Sequence, residues 1–455
     1  MKQTPKKPNA AFSYKRLTGN RQRLKKCGDN MCVGSQAHAI AVDSSKGLYN
    51  TCARPFESIV KNNKDKAVLS HWYHLRNTRF GQPVICDADK LFYATDESWG
   101  RVHEILHEQL LIPGLMDVPF PSQENPCFSF VDIFAGVGGF RMALQKLGGL
   151  CVFSSEWNEA AQQSYFTNYG EFPFGDITKP ETKTYIPDGF DVLCAGFPCQ
   201  PFSISGKMRG FDDVRGTLFF DVCEIIRDKH PQVVFLENVK HLIHHRNGTT
   251  LRVILDHIRK LGYKVEWRLL NASDFGVAQN RERIVIIATR DKPFDFDAIK
   301  ANPRIKLEEI LDADGDFEYL NPKDYTLLSE TREQASGLIF VGYRNKKIRK
   351  AGVRTGTEHL SRVHKQPNRI YSVKGIHPTL PSQEASGRFF ILLNDGRVRK
   401  LTINECYKLM GFPTPFIKSV SPSAQYLQIG NSVCVPMIEA VGTALIKQQF
   451  IGGGL

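Results

Sequence analysis

The sequence lacks the features that mark membrane-inserted and secreted proteins. No stretch approaches the roughly 18 unbroken apolar residues that a membrane-spanning helix needs, and the first residues contain no apolar signal core. The 11 cysteines are scattered along the chain without forming a dense framework, which is typical of reduced thiols. No internal repeat is visible. We therefore expect a cytoplasmic protein with no membrane partner.

The composition fits an ordinary globular protein that has an unevenly placed positive charge. Hydrophobic residues make up 42% of the 455 positions, and the formal net charge is +13. Residues 1–26 carry nine Lys or Arg and no acid, and residues 344–369 carry nine against one acid. Two basic patches on a nearly neutral body predict a nucleic-acid partner. A solubilising tail and a solvated loop would have the same composition, and charge does not distinguish DNA from RNA.

Apolar runs alternate with helical patterns from residue 128 onward. We predict strands at residues 128–134, 150–154, 192–195, 233–236 and 284–288. We predict helices at residues 140–147, 217–228, 250–261, 402–410 and 436–448. This alternation predicts a parallel α/β sheet. Between about residues 293 and 397 the periodicity fades and glycines and basic residues increase, which predicts a separate strand-containing module.

A glycine turn between the first strand and the first helix predicts a ligand site. Backbone N–H groups in the turn at residues 136–139 can approach a ligand closely at the positive end of the helix. Glu156, about 20 residues further on, follows the second strand, where a carboxylate can bind a ribose diol. Trp157 offers a flat face for a base, and Asp176 can accept from an adenine amino group. A glycine turn alone can be structural, but the ordered set predicts an adenosine-type cofactor.

A cysteine lies just past the end of the predicted strand at residues 192–195. Cys199 stands between Pro198 and Gln200, at the sheet edge where α/β proteins bind ligands. A free thiol has a pKa of about 8.5, so a nucleophile there needs a proton acceptor or a positive environment. A small buried hydrophobe is the alternative, and it is our interpretation of most other cysteines. The position and the flanking prolines favour a nucleophile.

Two further motifs carry charge at strand ends. Glu237 ends an apolar strand, where a carboxyl whose pKa is raised by burial can act as a general acid. Arg281 and Arg283 alternate, so on an extended chain they share a face and can anchor an oxygen or a phosphate. Either motif alone can also be read as surface charge.

In this order the motifs resemble those of the cytosine-C5 DNA methyltransferases of bacterial restriction–modification systems. Pro-Cys-Gln followed by Glu-Asn-Val and Gln-x-Arg-x-Arg is a highly specific series. The matching segments are residues 132–139, 156–157, 175–177, 196–203, 237–239, 279–283, 399–413 and 430–436. We find no departure from the pattern at the positions that do chemistry.

The resemblance implies a domain plan. It implies a Rossmann-like S-adenosylmethionine-dependent methyltransferase domain at residues 127–293 and a smaller, strand-containing target-recognition domain at residues 294–398. Residues 399–455 are expected to return to the catalytic domain. Residues 1–126 form an N-terminal extension of unknown role.

The resemblance also implies S-adenosylmethionine as the methyl donor. Phe134 and Trp157 are expected on the adenine, Glu156 on the ribose hydroxyls, and Asp176 on the adenine amino group. The whole expected cofactor set is Phe134, Gly136, Gly138, Gly139, Glu156, Trp157, Asp176, Ile177, Pro198, Asn431, Ser432 and Val433.

In the implied reaction the thiolate of Cys199 attacks C6 of a flipped-out cytosine while Glu237 protonates or hydrogen-bonds N3. Arg283 is expected to hold the base O2, supported by Arg281 and Gln279. The expected DNA contacts are Ser205, Arg215, Arg362, Arg369, Thr379 and Leu380.

The expected partner is double-stranded DNA, methylated by a monomer at a site that a cognate restriction endonuclease also recognises without needing to bind the enzyme. Two alternatives remain open: a tRNA cytosine-C5 methyltransferase and a non-catalytic DNA-binding regulator. No metal is expected, because the spacing of the N-terminal candidates matches no standard zinc site. Those candidates are Cys27, Cys32, Cys52, Cys86, His38, His71 and His74.

Overall fold

The computed structural model describes residues 62–76, 78–85, 87–88, 118–123, 125–197, 218–346 and 359–451. These residues form two compact units. One contains the described residues up to Pro121 together with Phe166–Phe174, and the other contains residues 122–165 and 175 onward.

The helices are α1 Asn63–Leu75, α2 Gly139–Lys146, α3 Glu159–Tyr169, α4 Pro180–Lys183, α5 Leu218–Lys229, α6 Thr249–Lys260, α7 Ile403–Lys408, α8 Pro422–Asn431 and α9 Val435–Ile446. Short 3₁₀ turns occur at Lys240–Ile243, Ala272–Asp274, Phe296–Ala298, Leu307–Ile310, Pro322–Asp324, Ser361–Val363 and Gln366–Asn368, and a π-helical turn at Lys447–Ile451. The strands are β1 Phe128–Ile133, β2 Gly149–Ser155, β3 Val192–Ala195, β4 Val233–Val239, β5 Lys264–Asn271, β6 Gln279–Asn280, β7 Glu282–Thr289, β8 Tyr325–Leu327, β9 Phe340–Arg344, β10 Arg369–Ser372, β11 His377–Pro378, β12 Phe390–Leu392 and β13 Val398–Lys400.

The first unit contains a buried polar contact between α1 and the segment Phe166–Phe174. His71 Nε2 lies 3.3 Å from Glu171 Oε1, and both side chains are almost fully buried. The Ser70 hydroxyl accepts a hydrogen bond of 2.9 Å from the Phe172 N–H. Part of the N-terminal extension is therefore a helix, and polar contacts from His71, His74 and Ser70 fix it to residues 170–172.

The second unit contains a six-stranded sheet in the order β2-β1-β3-β4-β7-β5. Its first four strands are parallel, as predicted. The expectation of an all-parallel sheet is wrong for β7, which is antiparallel to both β4 and β5. The connection between β5 and β7 spans only residues 272–281, which is too short for the helical crossover that a parallel pair requires.

Strand β5 is absent from the sequence-based prediction. It is an edge strand whose residues are mostly exposed or half-buried, in contrast to the fully buried β1 and β2. Its sequence therefore contains no continuous apolar run. The buried parallel strands were recognisable because helices cover both of their faces.

A five-stranded sheet lies within residues 325–400, in the order β13-β12-β10-β9-β8. Val341, Ile370, Phe390 and Val398 form its buried core. Strand β11, which follows β10 in the chain, is not part of this sheet. It pairs in parallel with β6, which places His377 opposite Gln279. Residues 325–400 thus have a small core of their own and a backbone connection to the strand that precedes β7, while the domain bounds 294–398 stay a prediction.

A buried ion pair joins the end of this sheet to α7. Both terminal nitrogens of Arg399 donate to the Glu405 carboxylate, at 2.8 and 2.6 Å, and both side chains are at most 2% exposed. Glu405 also accepts the Thr402 N–H at 2.7 Å, while the Thr402 hydroxyl accepts the Glu405 N–H. This capping box starts α7 at a defined residue.

The chain ends in a long apolar segment. Pro422–Phe450 has the length and hydropathy of a membrane-spanning helix, but 72% of its 18-residue apolar window is buried inside the protein. It is divided between α8 and α9, and a β-carbon on Gly442 of α9 would lie 2.9 Å from Leu147 Cδ1 and 3.1 Å from Leu144 Cδ2. This burial is that of a core element.

Replacing Arg399 with Met should lower the free energy of unfolding by about 3–5 kcal/mol, because Glu405 would remain buried without its counter-ion. The double variant Arg399→Met/Glu405→Met should recover only part of the loss, because it also removes the carboxylate that accepts the N–H groups of Thr402 and Asp312. Arg397→Met is the matched control, since the Arg397–Asp395 pair is solvent-exposed and should contribute little. Urea unfolding measures all three variants, and equal losses for Arg399→Met and Arg397→Met would contradict the assignment.

Candidate active site

The glycine turn after β1 adopts the left-handed backbone that its sequence predicts. Gly136 and Gly138 have φ of 57° and 82°, and Phe134, a non-glycine residue, has φ of 56°. A side chain in this conformation is uncommon and is found most often at functional sites. Gly138 precedes α2 directly, so the turn leads to the N-terminus of a helix, the end that attracts negatively charged and polar ligands.

Gly139 is required for a different reason. A β-carbon at this position would lie 2.7 Å from Val433 Cγ2 and 2.9 Å from Ser432 Oγ. The segment between α8 and α9 therefore packs directly on the start of α2. The sequence-predicted cofactor residues Gly139, Ser432 and Val433 are brought together, although 293 positions separate the first and the second.

The predicted ribose ligand Glu156 is tied to the glycine turn. Its carboxylate accepts the Gly136 N–H at 2.9 Å and the Asn158 N–H at 2.8 Å. Burial raises the pKa of Glu156, and these backbone N–H donors oppose the shift. The buried Gln162 amide donates to the Glu156 carbonyl at 2.6 Å, a positioning contact that the sequence motif did not reveal.

The residues expected at the adenine include Trp157, which follows Glu156 directly, and Asp176 with its neighbour Ile177. Trp157 is 76% exposed, the most exposed of the large hydrophobic side chains described. Ile177 is buried. The Asp176 carboxylate accepts from the N–H and the hydroxyl of Thr178 at 3.0 and 2.9 Å. An exposed indole beside a tethered carboxylate leaves a flat apolar face available to a planar ring.

The predicted catalytic carboxyl, Glu237, lies near the end of β4 and is buried with Arg283. Arg283 Nε is 3.0 Å from Glu237 Oε1, and the two side chains are 10% and 9% exposed. The antiparallel register sets Val239 opposite Arg283, which brings the two motifs to the same sheet edge. Burial raises the pKa of Glu237, while the nearby guanidinium groups of Arg283 and Arg281 lower it. A carboxyl in this environment can serve as a proton donor near neutral pH.

Asn238 supplies a contact that we did not predict. Its side-chain amide donates to the Phe197 carbonyl at 2.8 Å, and both residues are buried. Phe197 directly precedes Pro198 and Cys199 in the chain. The motif at residues 237–239 therefore fixes the backbone that leads to the cysteine, as well as presenting a carboxyl.

Arg281 and Gln279 bind protein groups. Arg281 is 1% exposed and donates to the carbonyls of Leu380, Gly430 and Ser432 at 3.2, 3.0 and 2.6 Å. Burial, together with the nearby guanidinium of Arg283, lowers the pKa of Arg281 to about 9. The side-chain amide of Gln279, which is fully buried, donates to the Leu409 carbonyl at 2.8 Å. The oxygens that Arg281 anchors are thus the protein's own carbonyls.

Thr379 and Leu380 lie at the same junction. The Thr379 hydroxyl donates to the Asn280 carbonyl at 2.7 Å, and the Leu380 N–H donates to Gln279 Oε1 at 3.1 Å. Leu380 is only 1% exposed. Leu380 therefore helps to hold β11 against β6, and a DNA contact by this residue stays a prediction.

The remaining predicted residues are divided between exposed positions and positions outside the described chain. Arg362 and Asn431 are exposed. The half-buried Arg369 donates to the His364 carbonyl at 3.1 Å. Pro198, Cys199, Ser205 and Arg215 lie outside the described residues.

The metal candidates are divided in the same way. Cys27, Cys32, Cys52, Cys86 and His38 also lie outside the described residues, whereas His71 and His74 are within them. Among the residues that the structure describes, no group of three or more His, Cys, Asp or Glu side chains could hold a metal ion.

Comparison with known proteins extends over most of the chain. Residues 128–447 match the family model described as C-5 cytosine-specific DNA methylase. Type II methyltransferase M.HpaII of Haemophilus parainfluenzae is 40% identical over 364 residues, which cover 76% of this chain and 98% of that protein. Type II methyltransferase M.HhaI of Haemophilus parahaemolyticus is 40% identical over 328 residues, covering 69% and 92%.

Solved structures show the same fold. The crystal structure of the S. pombe Dnmt2 methyltransferase superimposes with a TM-score of 0.51 at 16% identity, and the match covers 70% of this chain and 98% of that one. At this identity the likeness concerns the fold alone. It agrees with the predicted Rossmann-like α/β class.

Gly139→Ala should destabilise the protein by about 1–3 kcal/mol, because the added methyl group would overlap Val433 and Ser432. Gly175→Ala is the matched control, since a β-carbon there meets nothing within 4 Å, and it should change stability by less than about 0.5 kcal/mol. Chemical unfolding without ligand measures both variants. If Gly139→Ala is as stable as the control, the proposed packing of residues 432–433 on α2 is wrong.

Proposed function

Because the chain belongs to the C-5 cytosine-specific DNA methylase family and is a DNA cytosine-C5 methyltransferase, we propose that it methylates a flipped-out cytosine in a short duplex DNA sequence through a covalent adduct between Cys199 and C6. The observation that carries this proposal is the buried Glu237–Arg283 pair, at the carboxyl edge of the sheet that also bears the glycine turn.

S-adenosylmethionine is the methyl donor that these residues fit. Trp157 has an exposed face for the adenine, and the Glu156 carboxylate beside it can accept from ribose hydroxyls. A β-carbon at Gly136 would meet nothing within 4 Å, so there is open space above the turn. We assign the cofactor site to Phe134, Gly136, Gly138, Gly139, Glu156, Trp157, Asp176, Ile177, Pro198, Asn431, Ser432 and Val433. When bound, the cofactor supplies an electrophilic methyl group on a sulfonium sulfur.

The task of the protein is to make C5 of cytosine nucleophilic. Attack of the Cys199 thiolate forms a bond to C6 and moves ring electrons toward N3, where Glu237 donates a hydrogen bond or a proton. Arg283 is positioned by its ion pair to hold the base O2. After methylation, the C5 proton passes to solvent water, its electron pair re-forms the C5–C6 double bond, and the bond from C6 to the Cys199 sulfur breaks. This step restores the Cys199 thiolate and leaves 5-methylcytosine in the DNA.

Gln279 and Arg281 act as positioning residues in this proposal. Their partners are the backbone of Leu380, Leu409, Gly430 and Ser432, so they align the segments around Arg283 without touching the base. Asn238 has the same role toward the residue that precedes Pro198.

For DNA recognition we assign the target-recognition domain to residues 294–398, beside a catalytic domain at residues 127–293 and the returning segment 399–455. Arg362 and Arg369 are candidate contacts on this domain, and Ser205 and Arg215 on the chain that follows Cys199. For Thr379 and Leu380 the hydrogen bonds to Asn280 and Gln279 support an orienting role. We further propose a cytoplasmic monomer that protects DNA from a cognate restriction endonuclease.

Cys199→Ala should abolish transfer of labelled methyl groups to unmethylated duplex DNA, because alanine cannot form the bond to C6. Glu237→Gln should reduce the transfer by about 10²-fold or more, since an amide cannot deliver a proton. The control is Cys127→Ala, which removes an exposed cysteine and should leave the rate unchanged. The label should be recovered as 5-methylcytosine.

Two outcomes of this assay would overturn the proposal. Label in tRNA with none in DNA would retain the chemistry and replace the substrate. Binding of S-adenosylmethionine without transfer to either nucleic acid would favour a non-catalytic DNA-binding regulator.

Trp157→Ala should weaken S-adenosylmethionine binding about tenfold or more, because stacking on an aromatic ring contributes about 1–3 kcal/mol. Trp267→Ala is the matched control. Trp267 is 39% exposed on β5, which lies at the opposite end of the sheet from β2, roughly 24 Å away at about 4.8 Å per strand. Isothermal titration calorimetry measures both affinities, and equal affinities for the two variants would remove Trp157 from the cofactor site.

A further inference from the structure

A basic loop follows directly after the strand that carries Glu237. Residues 240–248, which we call the 240–248 loop, connect β4 to α6 and contain no acidic residue. Its basic and imidazole side chains are Lys240, His241, His244, His245 and Arg246. All except His245 are on exposed residues. This charge lies outside both of the basic segments that the composition identified.

The position of the loop is fixed relative to the candidate active site. The register of β4 and β7 sets Val239 opposite Arg283, so the loop begins at the sheet edge that bears the Glu237–Arg283 pair. Both carboxylate oxygens of Glu282 lie 2.8 Å from Lys240 Nζ. This contact fixes the start of the loop to the residue beside Arg283.

The tip of the loop has an unusual backbone. Arg246, Asn247 and Gly248 are three consecutive residues with positive φ, at 50°, 56° and 80°. The turn is closed by hydrogen bonds from the N–H groups of Asn247 and Gly248 to the carbonyls of His244 and His245, both 3.1 Å long. Asn and Gly tolerate this conformation, whereas Arg does not favour it.

The fold gives no packing reason for an arginine at this strained position. Arg246 is exposed, and its guanidinium makes no hydrogen bond or ion pair within the part of the chain that the structure describes. Lys240, at the start of the loop, is paired with Glu282, whereas the Arg246 guanidinium has no such partner among the described residues. A strained exposed residue with an available charge points to a ligand outside the chain.

We propose that the 240–248 loop, with Arg246 at its tip, binds backbone phosphates of the duplex DNA substrate near the target cytosine. The guanidinium presents a planar set of donors that matches phosphate oxygens. Such contacts position a duplex without reading its sequence, which distinguishes this surface from the target-recognition domain. The inference rests on the proposed function, because it requires duplex DNA as the substrate.

The test compares Arg246→Gly and Arg246→Asn with wild type. Both variants remove the charge and favour the left-handed backbone, so both should raise the unfolding temperature. Both should also weaken binding to a fluorescent DNA duplex about threefold to tenfold at low salt. The plot of log K against log salt concentration should lose roughly 0.9 of slope for one lost phosphate contact. Greater stability together with weaker binding is the signature that a purely structural residue would not give.

Two further variants act as controls. Arg246→Lys retains the charge and should keep the salt slope. Lys260→Ala removes an exposed cation at the far end of α6, about 18 Å along the helix from its start, and should not change the slope. Methylation by saturating duplex should proceed at the wild-type rate in Arg246→Gly, with a raised KM for DNA.

The outcomes separate this inference from the proposed function. If the wild-type protein methylates duplex DNA and both Arg246 variants keep its salt slope and affinity, the phosphate contact is wrong and the methyltransferase function stands. If the wild-type protein methylates no duplex DNA, the proposed function and this inference both fail. An equal loss of slope in Lys260→Ala would also overturn it, because the effect would then belong to overall charge.

Discussion

The buried guanidinium of Arg281 is the constraint on which the candidate active site depends. It holds the carbonyls of Leu380, Gly430 and Ser432, residues that lie 99, 149 and 151 positions further along the chain. Burying a charge is costly unless hydrogen bonds replace its water shell, and the lowered pKa of Arg281 reflects that cost. Once Ser432 is fixed, Val433 lies against Gly139, so the glycine turn and the returning segment meet at a defined distance.

Arg281 and Arg283, two positions apart in the chain, have different roles because they have different partners. Arg281 is satisfied by carbonyls, whereas Arg283 is paired with the Glu237 carboxyl. Glu282, between them, binds Lys240 at the surface. Three consecutive charged residues therefore have three different sets of partners, and Arg283 is the one that forms an ion pair with the candidate proton donor Glu237. The alternation in the sequence predicts that Arg281 and Arg283 lie on the same face of an extended chain. It does not predict their partners, which come from distant segments that folding brings near.

Much of the sheet was predictable because its parallel strands are buried on both faces and appear as continuous apolar runs. The helices around it were predictable from their spacing, and α2, α5, α6 and α9 lie within a few residues of their expected positions. Strand β5 was missed because an exposed edge strand needs no apolar run, and the direction of β7 depends on loop length. At the site, Glu156 and Glu237 were recognisable by motif. The roles of Gln162, Asn238 and Arg281 were not, because each depends on a carbonyl whose position the sequence does not give.

The net charge counted from the sequence differs from the charge that the folded surface presents to a ligand. Arg141, Arg281 and Arg399 are each at most 2% exposed, so their charges serve internal contacts and are not presented to a polyanion. Arg344, within the basic segment 344–369, is half-buried over the Phe390 ring at 4.9 Å. The charge that a phosphate backbone meets is what remains after such side chains are excluded. A count of Lys and Arg therefore overstates the surface charge of one segment and overlooks a short loop, because only exposure and pairing decide which cations a ligand can reach.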